Sequence, residues 1–232
     1  MKSVNCMRAW ISKRISNAMI LKNPNNKTLA LVKAIVFLLA LIPLAKLGLH
    51  AYQEELGANP IEKITRTTGY WTLTFLLITL SVTPFRRLLG WSWLVRLRRT
   101  LGLFAFFYGS LHFLTYLVLD QFFDWDSIVK DIVKRPYITV GFPAFLLMIP
   151  LAVTSTDAMI RRLGGKCWRW LHRLVYLTAV GGVVHNWWLV KKDLTNPITF
   201  AVLLGFLLGF RLFSWLWSLR KQRISAHTAI SP

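Results

Sequence analysis

An all-α fold of six membrane-spanning helices is what this sequence predicts, and three observations predict it. Of its 232 residues 55% are hydrophobic and 16% charged, with a mean hydropathy of +0.47, too apolar for an ordinary soluble domain. The apolar residues gather into six runs, each near the length a helix needs to cross about 30 Å of hydrocarbon at about 1.5 Å per residue. The 29 Lys and Arg fall mostly in the short connectors between those runs, where they set orientation. The net charge of +20 is therefore not read as a nucleic-acid footprint, and the expected surroundings are membrane lipid.

The first run, about 30–50, follows a polar, basic segment, residues 1–28, with Lys2, Arg8, Lys13, Arg14, Lys22 and Lys27 and no convincing small-x-small cleavage site. It is expected to be an uncleaved anchor. The second, 69–83, is short and holds Thr72, Thr74 and Thr79, whose hydroxyls can bond back to helix carbonyls. The third and fourth cover 101–119 and 137–154. The fifth, 168–189, is bounded by Trp168/Trp170 and Trp187/Trp188, read as interfacial anchors at the two ends of one helix. The sixth, 197–217, contains Gly205 and Gly209 in a G-x-x-x-G spacing suited to helix packing, and a tail, 218–232, follows. Residues 29–217 thus read as one transmembrane domain with nothing folded in its connectors.

Charge asymmetry orients the spans. Connector 84–100 holds Arg86, Arg87, Arg96, Arg98 and Arg99 with no acid, and 155–167 holds Arg161, Arg162 and Lys166 against Asp157 alone. Both are placed in the cytoplasm by the positive-inside bias. The connectors carrying Glu54, Glu55 and Glu62, then Asp120, Asp124, Asp126 and Asp131, lie outside. An even number of spans puts both termini in the cytoplasm, and Arg220, Lys221 and Arg223 in the tail agree.

Three histidines fall at membrane depth, His112 in the third run and His172 and His185 in the fifth. An ionisable side chain there is costly unless it has a function. With no carboxylate inside the spans, neutral imidazole as a metal ligand is favoured over a proton relay, and a b-type haem held by axial histidines fits. In depth His112 lies about 7 Å from His185 and about 10 Å from His172, which favours His112 with His185 as one ligand pair. His172 would then serve a second haem or act on a bound donor. On one ideal helix His172 and His185 stand about 140° apart, and Gly181–Gly182 between them offers a bend or a close approach. Arg96, Arg98 and Arg99 form the best candidate anion site, for haem propionates or a flavin phosphate. His50 and His227 read as solvated. Cys6 and Cys167 form no metal or disulfide pattern.

The stretches G-A-N-P-I-E-K-I-T-R-T-T-G (57–69), V-T-P-F-R-R (82–87), R-R-T-L-G-L (98–103), R-P-Y-I-T-V-G (135–141) and T-S-T-D-A-M-I-R-R-L-G (154–164), followed by W-R-W-L-H-R-L-V-Y-L, carry a resemblance. From about residue 30 to 217 the chain resembles the MsrQ family, formerly YedZ, of the ferric-reductase-like transmembrane group. That resemblance implies a haem-binding subunit of the bacterial inner membrane that takes electrons from the quinone pool, by way of FMN or a cytoplasmic flavin reductase. It implies delivery to a periplasmic molybdopterin partner of the MsrP type, which reduces methionine sulfoxide in oxidised proteins. The family's histidine positions carry onto His112, His172 and His185. Full-length ferric reductases use four histidines and append a flavin and nicotinamide domain. Three histidines here leave His172 without a visible second ligand, and the reductant is expected to come from another molecule. The competing expectations are a stand-alone ferric or quinone reductase and a small transporter, the latter calling for polar helix faces and internal repeats.

Overall fold

Asparagine and proline start, and glycine stops, the helix that departs furthest from its expected bounds. The structure, a computed structural model, describes residues 24–190 and 193–228. The basic segment 1–28 lies outside the described residues up to position 23, as do Cys6 and the last four residues of the tail 218–232. Regular structure is helical throughout the described residues, so the all-α expectation holds. The chain divides into two compact units, Met1–Asp120 and Gln121–Pro232.

The first unit holds α1 (Asn26–Tyr52), α2 (Pro60–Leu89), a 3-10 turn over Ser92–Leu97 and α3 (Arg98–Leu114), which continues as a π-helical turn over Thr115–Asp120. The second holds α4 (Trp125–Lys134), α5 (Pro136–Val153), α6 (Asp157–Leu171), α7 (Leu174–Leu189) and α8 (Thr195–Thr228). Among the described residues five stretches are long and apolar enough to cross a membrane: Asn26–Tyr52, Pro60–Leu89, Ser92–Asp120, Pro136–Val153 and Thr195–Arg220. They correspond to the first, second, third, fourth and sixth runs of the sequence. Their lipid-scale apolar surfaces, such as Leu31, Leu38, Val202 and Phe206, are exposed, as a membrane solvent requires.

Helix α2 has 30 residues where the apolar run suggested about half that. Asn59 caps it, its side chain accepting from Glu62 N–H at 3.2 Å while Glu62 accepts back from Asn59 Nδ2 at 3.2 Å, and Pro60 occupies the first turn. Gly90 ends it with a φ of 72°, a left-handed conformation glycine adopts without steric cost. The threonine hydroxyls donate to the carbonyls four residues back, Thr72 to Thr68 and Thr74 to Tyr70 at 2.8 Å and Thr79 to Phe75 at 2.7 Å, so each polar side chain is satisfied within its own helix.

Pro43 lies inside α1 and lacks the N–H of a regular rung. Beside it the Tyr108 hydroxyl enters the helix ladder, donating to Ala40 O at 2.8 Å and accepting from Leu44 N–H at 3.2 Å, two groups that would otherwise bond each other. Phe75 stacks on the Tyr108 ring at 5.4 Å between centroids. Tyr108 is 1% exposed, so removing its hydroxyl strands two backbone groups away from water. Tyr108→Phe is expected to cost about 1–3 kcal/mol, lowering the melting midpoint of the solubilised protein by several degrees; an unchanged midpoint by circular dichroism would show that the rung closes without it.

In the second unit α5 and α7 run antiparallel and close. A Cβ on Gly181 would meet the Ala144 Cβ at 3.0 Å, so the two backbones approach through small residues. The fifth run, expected as one unbroken helix over 168–189, is corrected here. A turn at His172–Arg173 separates α6 from α7, and the stretch 157–171, mostly expected as connector, is helical. Thr156 caps α6, accepting from Met159 N–H at 3.2 Å, and Gly164 kinks it with a φ of 75°. The 140° separation of His172 and His185 on one ideal helix therefore has no application to this chain.

Candidate functional site

The three histidines are presented in two ways. His112 stands near the end of α3, and its Nδ1 lies 2.8 Å from Thr65 O on α2. His185 stands near the end of α7, and its Nδ1 lies 2.6 Å from Tyr137 O at the start of α5. A carbonyl oxygen only accepts, so in both rings Nδ1 carries the proton and the lone pair is on Nε2. That tautomer, fixed by a main-chain carbonyl, is how proteins prepare an imidazole to bind a metal through Nε2.

Each ring also lies against a glycine of the same neighbouring helix, His112 on Gly69 and His185 on Gly141. Both histidines are half-buried. Gln, Asp or Glu side chains play no part in either hydrogen bond.

His172 is held at its opposite ring nitrogen. It caps α6, its N–H bonding Trp168 O at 3.0 Å, and its imidazole stacks on the Trp168 indole at 3.9 Å between centroids. Nε2 lies 3.1 Å from Thr154 Oγ1, and that hydroxyl donates its proton to Pro150 O at 2.6 Å. Nε2 is thus the donor, and the lone pair is on Nδ1. Thr154 organises this corner twice over, because its carbonyl also accepts from Trp168 Nε1 at 2.9 Å. His185 and His172 belong to the same unit and yet have opposite tautomers.

The arginine cluster sits where expected in sequence and in a setting only the fold reveals. Arg96 belongs to the 3-10 turn, while Arg98 and Arg99 occupy the first turn of α3, which has no acidic residue. Cations there reinforce the positive end of the helix dipole instead of neutralising it, which makes the corner electropositive. Arg96 and Arg99 are exposed and Arg98 half-buried. Among the described residues, no group of three His, Cys, Asp or Glu side chains gathers to hold a bare metal ion. Cys167 is an exposed free thiol.

Sequence reasoning missed the partners of the histidines and one charge. Arg211 lies inside the stretch Thr195–Arg220, where it donates through Nη1 to the Tyr176 hydroxyl and carries its guanidinium carbon 5.0 Å from the Tyr176 ring centre. A lone cation in an apolar run was legible in G-F-R-L-F (209–213), and its partner on α7 was not.

Known proteins resemble the chain over most of its length. The family described as ferric reductase like transmembrane component matches residues 67–183, which include His112 and His172 and stop two short of His185. The "Protein-methionine-sulfoxide reductase heme-binding subunit MsrQ" of Herminiimonas arsenicoxydans is 54% identical over 202 residues, covering 86% of this chain and 92% of that protein. The proteins of the same name from Azospira oryzae and Rhodospirillum rubrum are 57% and 58% identical, over 82% and 76% of this chain and 82% and 85% of theirs. No solved structure matches.

Proposed function

The chain belongs to the MsrQ family of heme-binding subunits, within the ferric-reductase-like transmembrane proteins, and from that premise we propose that it is the haem b electron-transfer subunit of a methionine sulfoxide reductase system. The observation that carries this reading onto residues is the pair of Nδ1–H to carbonyl bonds at His112 and His185, which leave the lone pair of each ring on Nε2. Two neutral imidazoles of that tautomer are the donor set a b-type haem takes. Bound haem supplies reversible one-electron exchange at its iron.

This chain's residues do the rest. His112 and His185 would each offer Nε2 to haem iron, and the carbonyls of Thr65 and Tyr137 raise the basicity of those rings by accepting from Nδ1–H. His172 serves a second haem or a bound donor at the other end of α7, with Thr154 and Trp168 fixing its ring. Arg96, Arg98 and Arg99 offer oxyanion contacts for propionates or for the phosphate of FMN. Six spans place both termini in the cytoplasm of a bacterial inner membrane, α7 being the short one at 16 residues. Electrons come from the quinone pool, through FMN or a flavin reductase, and leave to a periplasmic molybdopterin partner of the MsrP type.

A dithionite-reduced minus oxidised spectrum of the purified, solubilised chain tests this, with haem counted per chain. A sharp b-type α-band at one haem per chain supports His112 and His185 as ligands, and two haems assign His172 to the second. No haem after expression with ample haem supply would remove the reading.

A further inference from the structure

His112 and His185 rest in the same small construction, built twice on different helix pairs. In each, the imidazole Nδ1–H reaches a carbonyl of an antiparallel neighbour, and the residue four positions after that carbonyl is a glycine: Thr65 with Gly69, Tyr137 with Gly141.

Helix geometry explains the spacing. The carbonyl of residue i accepts the N–H of residue i+4, and the Cα–Cβ bond at i+4 tilts toward the helix N-terminus, back over that carbonyl. A side chain at i+4 therefore covers the approach a second donor would take. Glycine uncovers it, and the space it leaves is the space the ring fills. A Cβ on Gly69 would stand 3.0 Å from both Cε1 and Nδ1 of His112. A Cβ on Gly141 would stand 2.8 Å from Cε1 and 2.9 Å from Cγ of His185, with Nδ1 closer still. Neither glycine has a positive φ, so backbone freedom is not the reason for it. Glycine inside a helix costs roughly 0.5–1 kcal/mol against alanine, and here an imidazole takes up what that cost provides.

We propose that Gly69 and Gly141 are positioning residues for the metal-ligating imidazoles: each admits one ring onto one backbone carbonyl, fixing its tautomer and its plane. This rests on the haem-ligand reading above. The two sites are not equally tight. At Gly69 the ring has to give by a few tenths of an ångström to accept a methyl group, whereas at Gly141 it has to leave its carbonyl.

The test uses the full chain, purified in detergent, with four readouts: haem per chain, visible spectrum, electron paramagnetic resonance g-values of the ferric haem, and midpoint potential. Gly141→Ala is expected to weaken haem retention about 10- to 100-fold, the range for losing an outer-shell partner, and to move the g-values of what remains. Gly69→Ala is expected to retain haem with shifted g-values and potential, and it carries the test should Gly141→Ala not accumulate. Gly181→Ala is the control, since its Cβ would meet Ala144 at 3.0 Å within the same α5–α7 contact and touches no histidine. It should keep wild-type g-values and potential. The proposal is overturned if both glycine variants keep wild-type g-values and potential while His185→Ala loses haem, an outcome that leaves the ligand reading standing. It is also overturned if Gly181→Ala shifts the spectra as far as Gly141→Ala, since helix spacing would then be the cause. Full haem in both His112→Ala and His185→Ala removes the ligand reading itself, and this one with it.

Discussion

His185→Ala and His112→Ala, made singly, are each expected to abolish the low-spin α-band of the purified chain. An axial ligand contributes more to haem retention than the outer-shell groups whose loss costs about 10- to 100-fold, so haem per chain should fall to near zero. Both rings are half-buried and hydrogen-bonded to a neighbouring helix, so each alanine also leaves a void beside a glycine and a carbonyl without its imidazole donor. His50→Ala, at the end of α1, separates that from a general effect of losing histidine and should retain the full spectrum. His172→Ala should spare the α-band that His112→Ala and His185→Ala remove, because its ring is held by other partners, Thr154 and Trp168. Full haem in both single variants would sink the ligand assignment.

Tyr176→Phe is expected to destabilise the second unit. The hydroxyl accepts from Arg211, a cation nine residues inside the Arg220 end of its apolar stretch, about 14 Å along the helix. A hydrogen bond to a charged group contributes about 1.5–3 kcal/mol, and in hydrocarbon no water replaces it. For a chain of this size about 1 kcal/mol corresponds to roughly 2–4 °C, so the melting midpoint should fall by several degrees. Tyr176→Ala should fall further, because the ring lies 5.0 Å from the guanidinium carbon and a cation–π contact of about 0.5–2 kcal/mol goes with it. Arg211→Met combined with Tyr176→Phe should recover most of the loss, since it removes the charge that needs the acceptor. A Tyr176→Phe variant that melts with the wild type would show that Arg211 is satisfied elsewhere.

How far the fold could be read depended on what each boundary rests on. The apolar runs located the five long stretches, because hydrocarbon length and hydropathy are local properties of the chain. The start of α2 was also legible, in N-P-I-E (59–62), where a cap, a proline and an acid stand in the order a helix start requires, although residues 60–68 are too polar to belong to the apolar run that begins at Gly69. The break at His172–Arg173 was not legible. W-R-W-L-H-R-L-V-Y-L contains neither proline nor glycine; the backbone leaves the regular helix at His172, whose ψ is −3°, and there the ring stacks on Trp168 and bonds Thr154.

The sequence by itself determined that this chain is an all-α membrane protein with imidazoles at depth, and motif order placed it in its family. Those properties follow from composition, run length and the cost of burying an ionisable group, none of which needs a partner in space. Only the tertiary structure decided what makes each histidine different. Thr65 is 47 positions from His112 and Tyr137 is 48 from His185, so no local pattern could pair them. The groups that accept the Nδ1 protons are backbone carbonyls, which every residue has, and only helix packing selects the one that a glycine four positions later leaves open.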